Sequence, residues 1–344
     1  MNILNDSLLG NLEQILSSLE IRSSYYIFNG NIYNIKHIKK LIKEPKQDKL
    51  SLFAKSMQQT FYHILHCRSM NFSNESMRFN YNIMREFVEV LSQANTSNGR
   101  WENGWEIMEI MDDDKTIKVK KGENIILYQN INHFRIPNGN LVVGKIGSIL
   151  MPKEMRQISY GFYTLFGNAS DDYPNGVTVR IYWNINSSGA KILIKNITTE
   201  LNADEIPFQF KTLSNPFSYN RTDAAVLYIK KKYLENCSKI IEKVYAEIKN
   251  FIKPDVSLFV KKIYPGLGIA EDIEGNESFG QNRTRILAEA ILPAKGKFRE
   301  TKSINRKKED IISYFQNLGI DINKPYLNAN SLDVYDQIFD KDTK

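Results

Sequence analysis

The sequence predicts an α+β protein, with a helical N-terminal region over residues 1–97 and, over residues 98–344, a mostly antiparallel sheet covered by long helices. Two observations lead to this reading. Apolar residues recur at three- and four-residue spacing as far as ANTSNGRWENGW, and beyond that segment the texture changes to short alternating runs punctuated by Gly, Asn and Asp. A hydrophobic fraction of 42% over 344 residues is enough to build a substantial core.

The first helices are expected in LLGNLEQILSSLEI, HIKKLIKE, FAKSMQQTFYHILHCRSM and NIMREFVEVLSQA, each with an apolar stripe of helical period. Strands follow in GWEIMEIM, TIKVKK, NIILYQ, LVVGKIGSILM and VTVRIYWNI. The segments VTVRIYWNI and AKILIKNIT, joined by NSSG, read as a hairpin, and PFQFKTL adds a further strand. A long helix is expected from about residue 223 to 252, with Val226, Ile229, Tyr233, Cys237, Ile240, Val244, Ile248 and Phe251 on one stripe and Pro254 at its end. In ESFGQNRTRILAEAIL, Ser278 and Gln281 have the spacing of a capping box, so a helix should start there. Turning that helix at about 100° per residue places Phe279, Ile286, Leu287, Ala290 and Ile291 on one arc with Arg283 near its centre, and Arg285 on the opposite, solvent-facing side.

Lys and Arg outnumber Asp and Glu by 46 to 39, a net charge of +7 that favours an acidic partner. The most basic stretch, KGKFRETKSINRKK at 295–308, lacks interleaved aromatics and reads as a solvated linker, so no nucleic-acid partner is expected. The chain has neither a signal-like start nor an apolar run of membrane-spanning length, and the expected location is the cytoplasm, with no membrane partner. Cys67 and Cys237 are too few for a disulfide framework. His63 and His66, with Cys67, lack a fourth ligand nearby, so no metal site is expected. Nucleotide-binding, serine-hydrolase and zinc-protease motifs are missing, and no cofactor is implied.

The residues that carry chemistry are basic and phenolic. In VTVRIYW the two-residue period puts Arg180 and Tyr182 on the more polar face, and in PFQFKTL it puts Lys211 on the less apolar one. Arg221 is expected just before a helix start, a place that attracts anions, while Asp223 either caps that helix or holds Arg221 or Lys211 in position. A guanidinium such as Arg283 on an inward face needs a carboxylate, carbonyls or a bound anion beside it. His133, in NINHFR, is a candidate proton donor.

The succession GFYTLFGN, VRIYWN, FKTLSNP with NRTDAAVLY, GLGIAEDIEGNESFGQNRTRILAEAI and KPYLN with DVY resembles the HopA family over roughly residues 100–335, most strongly at RTDAAVLY and ESFGQNRTRILAEA. That family is named for a type III secretion effector of plant pathogens and includes biosynthetic proteins. The resemblance implies two functions. One is a lyase that eliminates phosphate from phosphoserine or phosphothreonine of a precursor peptide in lanthipeptide or thioamitide pathways, with a separate kinase-like phosphotransferase as partner. The other is that of an effector, and the residues leave open a third, a phosphopeptide-binding protein without chemistry. Residue chemistry then suggests Lys211 as the base if its surroundings favour the neutral amine. Arg180, Arg221 and Arg283 would form a phosphate clamp, Asp223 a support, and Tyr182 or His133 the proton donor to the leaving oxygen.

Overall fold

The computed structural model describes residues 6–41, 49–69, 81–112, 115–122, 125–156, 159–171, 176–275, 277–292 and 303–339. Within the basic run, residues 295–302 lie outside the described residues, and Ile304 already begins a helix, Ile304–Asn317. Helices and antiparallel sheets both contribute, in the α+β arrangement expected.

The N-terminal helices form where the apolar periodicity is strong: α1 (Leu8–Ser17), α2 (Ile35–Leu41), α3 (Lys49–Phe61) and α4 (Tyr81–Ala94). Between the first two lies a small antiparallel sheet that the sequence reading missed, made of β1 (Leu19–Ile21), β2 (Tyr25–Phe28) and β3 (Asn31–Asn34). Its β2–β3 turn is carried by Asn29 and Gly30, both at positive φ, a backbone conformation these two residue types tolerate best. Helix α3 ends in a π-helical turn, Tyr62–His66, where the Cys67 amide reaches back to the Tyr62 carbonyl at 2.8 Å.

A five-stranded sheet follows, in the order β6-β5-β4-β8-β7, formed by β4 (Arg100–Ile110), β5 (Thr116–Lys121), β6 (Ile125–Asn130), β7 (Phe134–Arg135) and β8 (Ile146–Met151). It has its own small core of Trp105, Ile107, Ile117, Val119, Phe134, Ile149 and Met151. The larger sheet has seven strands in the order β14-β15-β11-β13-β12-β10-β9. Its strands are β9 (Glu154–Met155), β10 (Phe162–Phe166), β11 (Thr178–Trp183), β12 (Phe208–Leu213), β13 (Ala225–Lys230), β14 (Lys261–Tyr264) and β15 (Leu267–Glu271), all paired antiparallel.

Two expectations fail here for physical reasons. AKILIKNIT is not a returning strand but part of helix α5 (Ser187–Ala203), because Asn186 caps it by accepting from the Gly189 amide. Its buried residues, Ala190, Leu193, Ile194, Ile197 and Leu201, follow a helical period that a short apolar run does not distinguish from a strand. The helix expected from 223 begins only at Leu234, as α6 (Leu234–Ile248). Residues 225–230 form β13, flanked by β11 and β12, and its apolar run Ala225, Val226, Leu227 and Ile229 imitates half a helical stripe.

The apolar face of β11, with Val179, Ile181 and Trp183, shares one core with the buried stripes of α5 and α6 and with α1 and α3. The opposite face is covered in part by the π turn and by α7 (Phe279–Ile291), with rings of His66 and Phe279 against Tyr182. Helix α7 has the expected capping box between Ser278 and Gln281.

Beyond α7, helix α8 (Ile304–Asn317) leads into a C-terminal segment that two buried groups hold against the sheet. Glu271, fully buried at the end of β15, accepts from Lys231, the hydroxyls of Ser331 and Tyr335, and the Asn328 amide. Arg283 donates from Nε to the Pro325 carbonyl at 2.7 Å and from one terminal nitrogen to the Leu327 carbonyl at 2.9 Å. Replacing Glu271 by Ala would strand Lys231 and these hydroxyls. Urea denaturation should show a loss of about 3–5 kcal/mol, the range for removing one member of a buried charge network, and a loss below about 1 kcal/mol would show that the segment docks without it.

Candidate functional site

The polar face of the large sheet is assembled by register. Arg180 lies opposite Tyr228, which lies opposite Gln209, and in the next row Tyr182 lies opposite Val226, which lies opposite Lys211, which lies opposite Thr164. Residues far apart in sequence therefore share one side of the pleat.

Cations and rings alternate across this face. The Lys211 amine sits 4.7 Å from the Phe162 ring centroid and 5.4 Å from that of Tyr228. The Arg180 guanidinium lies 5.1 Å from the same Tyr228 ring, and that of Arg221 lies 5.9 Å from Phe162 and 5.8 Å from Tyr62. Each contact is within the range where the ring quadrupole attracts a cation. Lys211, Arg180 and Arg221 thus converge through two shared aromatic side chains.

Both arginines are oriented by carboxylates. Arg180 pairs with Asp272 through Nε at 2.7 Å and through a terminal nitrogen at 2.5 Å. Arg221 grips Asp223 with Nε at 2.5 Å and a terminal nitrogen at 2.6 Å, and that nitrogen also donates to the Tyr62 hydroxyl at 3.1 Å. The Arg221 pair engages both Asp223 oxygens and fixes the guanidinium plane, whereas both Arg180 nitrogens reach Asp272 Oδ1; each arginine keeps further N–H groups for another anion. Burial opposes ionisation of Asp223, yet the Arg221 charge and hydrogen bonds hold its carboxyl well below the usual range. Burial also opposes charge on Arg180 and Arg221, and their surroundings overcome it, so both remain firmly protonated.

The loop bearing Arg221 precedes β13, not a helix, so Asp223 is no helix cap and instead holds Arg221. The loop is fastened to the π turn, where the Thr222 hydroxyl donates to the His66 carbonyl at 2.5 Å and the Thr222 amide to the Cys67 carbonyl at 2.8 Å. The π turn brings His66 beneath the site, with Nδ1 2.8 Å from the Ser257 hydroxyl and Nε2 3.9 Å from Asp223. Gly280 is required here, since a Cβ would fall 2.4 Å from the His66 ring.

Sequence-based candidates separate into two groups. Lys211, Arg180, Arg221, Tyr182 and Asp223 come together, and the buried Tyr182 hydroxyl has no hydrogen-bond partner among the described residues. His133 does not join them: it is exposed in a 3-10 turn of the five-stranded sheet, 3.4 Å from Gln129. Arg283 is also spent elsewhere. Its guanidinium is taken up by the Pro325 and Leu327 carbonyls and the Asn282 side chain, and burial lowers its pKa to about 10, leaving it charged. Arg285 is partly exposed and pairs with Glu277 and Glu289. Sequence reasoning missed Tyr62, His66, Phe162, Tyr228 and Asp272. Only their polar or aromatic character was visible, not the π turn or the strand register that gathers them.

Burial lowers the His66 pKa to about 4, against the partial support of Asp223, while the charges of Arg221, Arg180 and Lys211 lower it further. Its folded pKa is below its unfolded value of about 6.5, so the unfolded chain binds more protons between these limits and stability falls as pH drops from 6.5 towards 4. Desolvation and Arg221 lower His63 in the same direction. Thermal or urea unfolding should therefore lose up to about 3 kcal/mol over this window, and His66→Gln should flatten much of the slope. Equal slopes in both proteins would remove His66 from this role.

No curated protein matches the chain. Among solved structures, the effector protein from Pseudomonas syringae pv. tomato strain DC3000 is similar at 15% identity and a TM-score of 0.44, covering 93% of this chain and 100% of that one. The effector protein from Pseudomonas syringae pv. syringae strain 61 is similar at 16% identity and a TM-score of 0.45, covering 82% of this chain and 96% of that one. The model of the HopA1 effector protein family matches residues 153–327, just over half of the sequence and the whole stretch that bears the cation cluster. The chain belongs to the HopA1 effector protein family.

Proposed function

We propose that the protein is a phosphoserine/phosphothreonine lyase that eliminates phosphate from a phosphorylated precursor peptide. The observation that carries this is the convergence of Lys211 with Arg180 and Arg221 on one sheet face, through the shared rings of Phe162 and Tyr228. Elimination needs a base at the Cα proton and cations for the departing phosphate.

In this reading the Lys211 amine takes the Cα proton. The electrons of that bond form the Cα–Cβ double bond, the Cβ–O bond breaks, and phosphate leaves with both bonding electrons. Arg180 and Arg221 hold the phosphate with the N–H groups not committed to Asp272 and Asp223. The Tyr182 hydroxyl, pushed up chiefly by burial and so kept protonated, is a donor for the leaving oxygen. The peptide arrives already phosphorylated, so a separate kinase-like protein is the implied partner.

The pairing of both arginines supports a second reading. Arg180 and Arg221 are each matched by a carboxylate, Asp272 and Asp223, so the two pairs carry no net formal charge, which suits a phosphopeptide-binding or effector protein without chemistry as well as a catalyst. The assay that separates the readings incubates a phosphothreonine peptide with purified protein and follows loss of phosphoric acid by mass spectrometry. Lys211→Ala should bind the peptide but eliminate about 10²- to 10⁴-fold more slowly. Arg180→Lys keeps the charge and loses the fork, and should weaken peptide binding by about 1.5–3 kcal/mol. Hydrolysis to threonine would make the protein a phosphatase, and binding without any turnover would favour the second reading.

A further inference from the structure

A cleft of about 330 Å³ opens where the large sheet meets the five-stranded one. Its walls are mostly apolar, with Trp105, Leu127 and Met151 from the five-stranded sheet and Met155, Phe166 and Phe208 from the large sheet. That volume is near the lower end of the range for ligand pockets, about 300–1,000 Å³, and suits one large side chain with its own backbone. Two methionines in the wall let it adapt to different apolar shapes.

The cleft is continuous with the cation cluster. Tyr228 belongs to both, since its ring lies under Arg180 and Lys211 and also lines the cleft. Gln209 and Thr178 line the cleft as well, each two residues before a cation on its strand, Lys211 and Arg180 respectively. Two residues of strand span about 6.6 Å, the same advance as two residues of an extended peptide. A peptide that runs along these strands with its phosphoresidue at the cations would bring a side chain two positions away to the mouth of the cleft.

We propose that this cleft is a specificity pocket for an apolar or aromatic side chain two positions from the phosphoresidue of the substrate peptide. The inference rests on the lyase reading, because it takes the cation cluster as the place of the phosphate. Apolar recognition here complements charge recognition: the cations select a phosphorylated residue, and the cleft selects which phosphorylated residue is presented.

The test compares short phosphothreonine peptides that carry leucine, phenylalanine or glycine two positions before or after the phosphothreonine, with dissociation constants and elimination rates measured for each. At one of the two positions, wild type should prefer leucine or phenylalanine over glycine by about tenfold or more, the effect of burying one such side chain. Leu127→Trp, which fills the cleft, should reduce that preference severalfold, and its melting temperature reports whether it folds. If it does not, the peptide comparison on wild type decides alone. Equal handling of leucine, phenylalanine and glycine at both positions, by a protein that still discriminates phosphorylated from unphosphorylated peptide, would overturn the pocket and leave the lyase reading standing. Failure to distinguish phosphorylated from unphosphorylated peptide would overturn the lyase reading, and the pocket with it.

Discussion

The two-point pair between Arg221 and Asp223 is the interaction on which the polar face depends. A guanidinium cannot give up its proton, so placing one beside a packed sheet requires a permanent counter-charge. Asp223, 4% exposed, supplies it and is held in turn by Arg221, by the Tyr62 hydroxyl at 3.3 Å and by the nearby His66. Because Thr222 is bonded to the π turn on the same short loop, the pair also fixes where α3 ends and where β13 begins. Local helix geometry, a loop and a central strand are thus committed to one another by a single charge pair.

A related pair holds Arg180 through one oxygen of Asp272, which stands just past β15 and whose amide bonds back to the Thr178 carbonyl. The formal charge of the two arginines is thereby matched by two carboxylates, and Lys211 between them is bounded by rings and not by a carboxylate among the described residues. This division of labour suits a site in which positioned donors stabilise an anion while a separate amine meets the carbon acid. Membership of the HopA1 effector protein family sets the context for that site. The proposed chemistry rests on the residues themselves, since a fold does not specify a reaction.

Arg283 illustrates the opposite use of the same side chain. It lies in the middle of an apolar helix face, as an anion-binding arginine would, yet three oxygen acceptors of the chain itself complete its hydrogen bonding. Its service is to fasten the segment around 325–327 to α7, next to the segment that Glu271 holds. Among the described residues, no helix is long and apolar enough to cross a membrane.

By itself the sequence determined the fold class, the N-terminal helices, the capping box at Ser278 and the polar side of β11, because each depends on residues within one turn or one pleat of one another. It also placed Arg180, Tyr182, Lys211, Arg221 and Asp223 among the reactive candidates by side-chain chemistry alone. Only tertiary structure decided that residues 225–230 are a strand, since a short apolar run in a central strand and a helical stripe have the same local pattern. It also decided the fates of the two basic or titratable candidates that stand apart, Arg283 and His133. Whether a buried guanidinium meets an anion or a carbonyl, and whether a histidine faces a site or solvent, depends on atoms dozens of residues away, such as the Pro325 and Leu327 oxygens. The partners Tyr62, His66 and Asp272 escaped for the same reason: hydrogen bonds and ring contacts across a sheet are set by register and by a π turn, neither of which leaves a local mark in the chain.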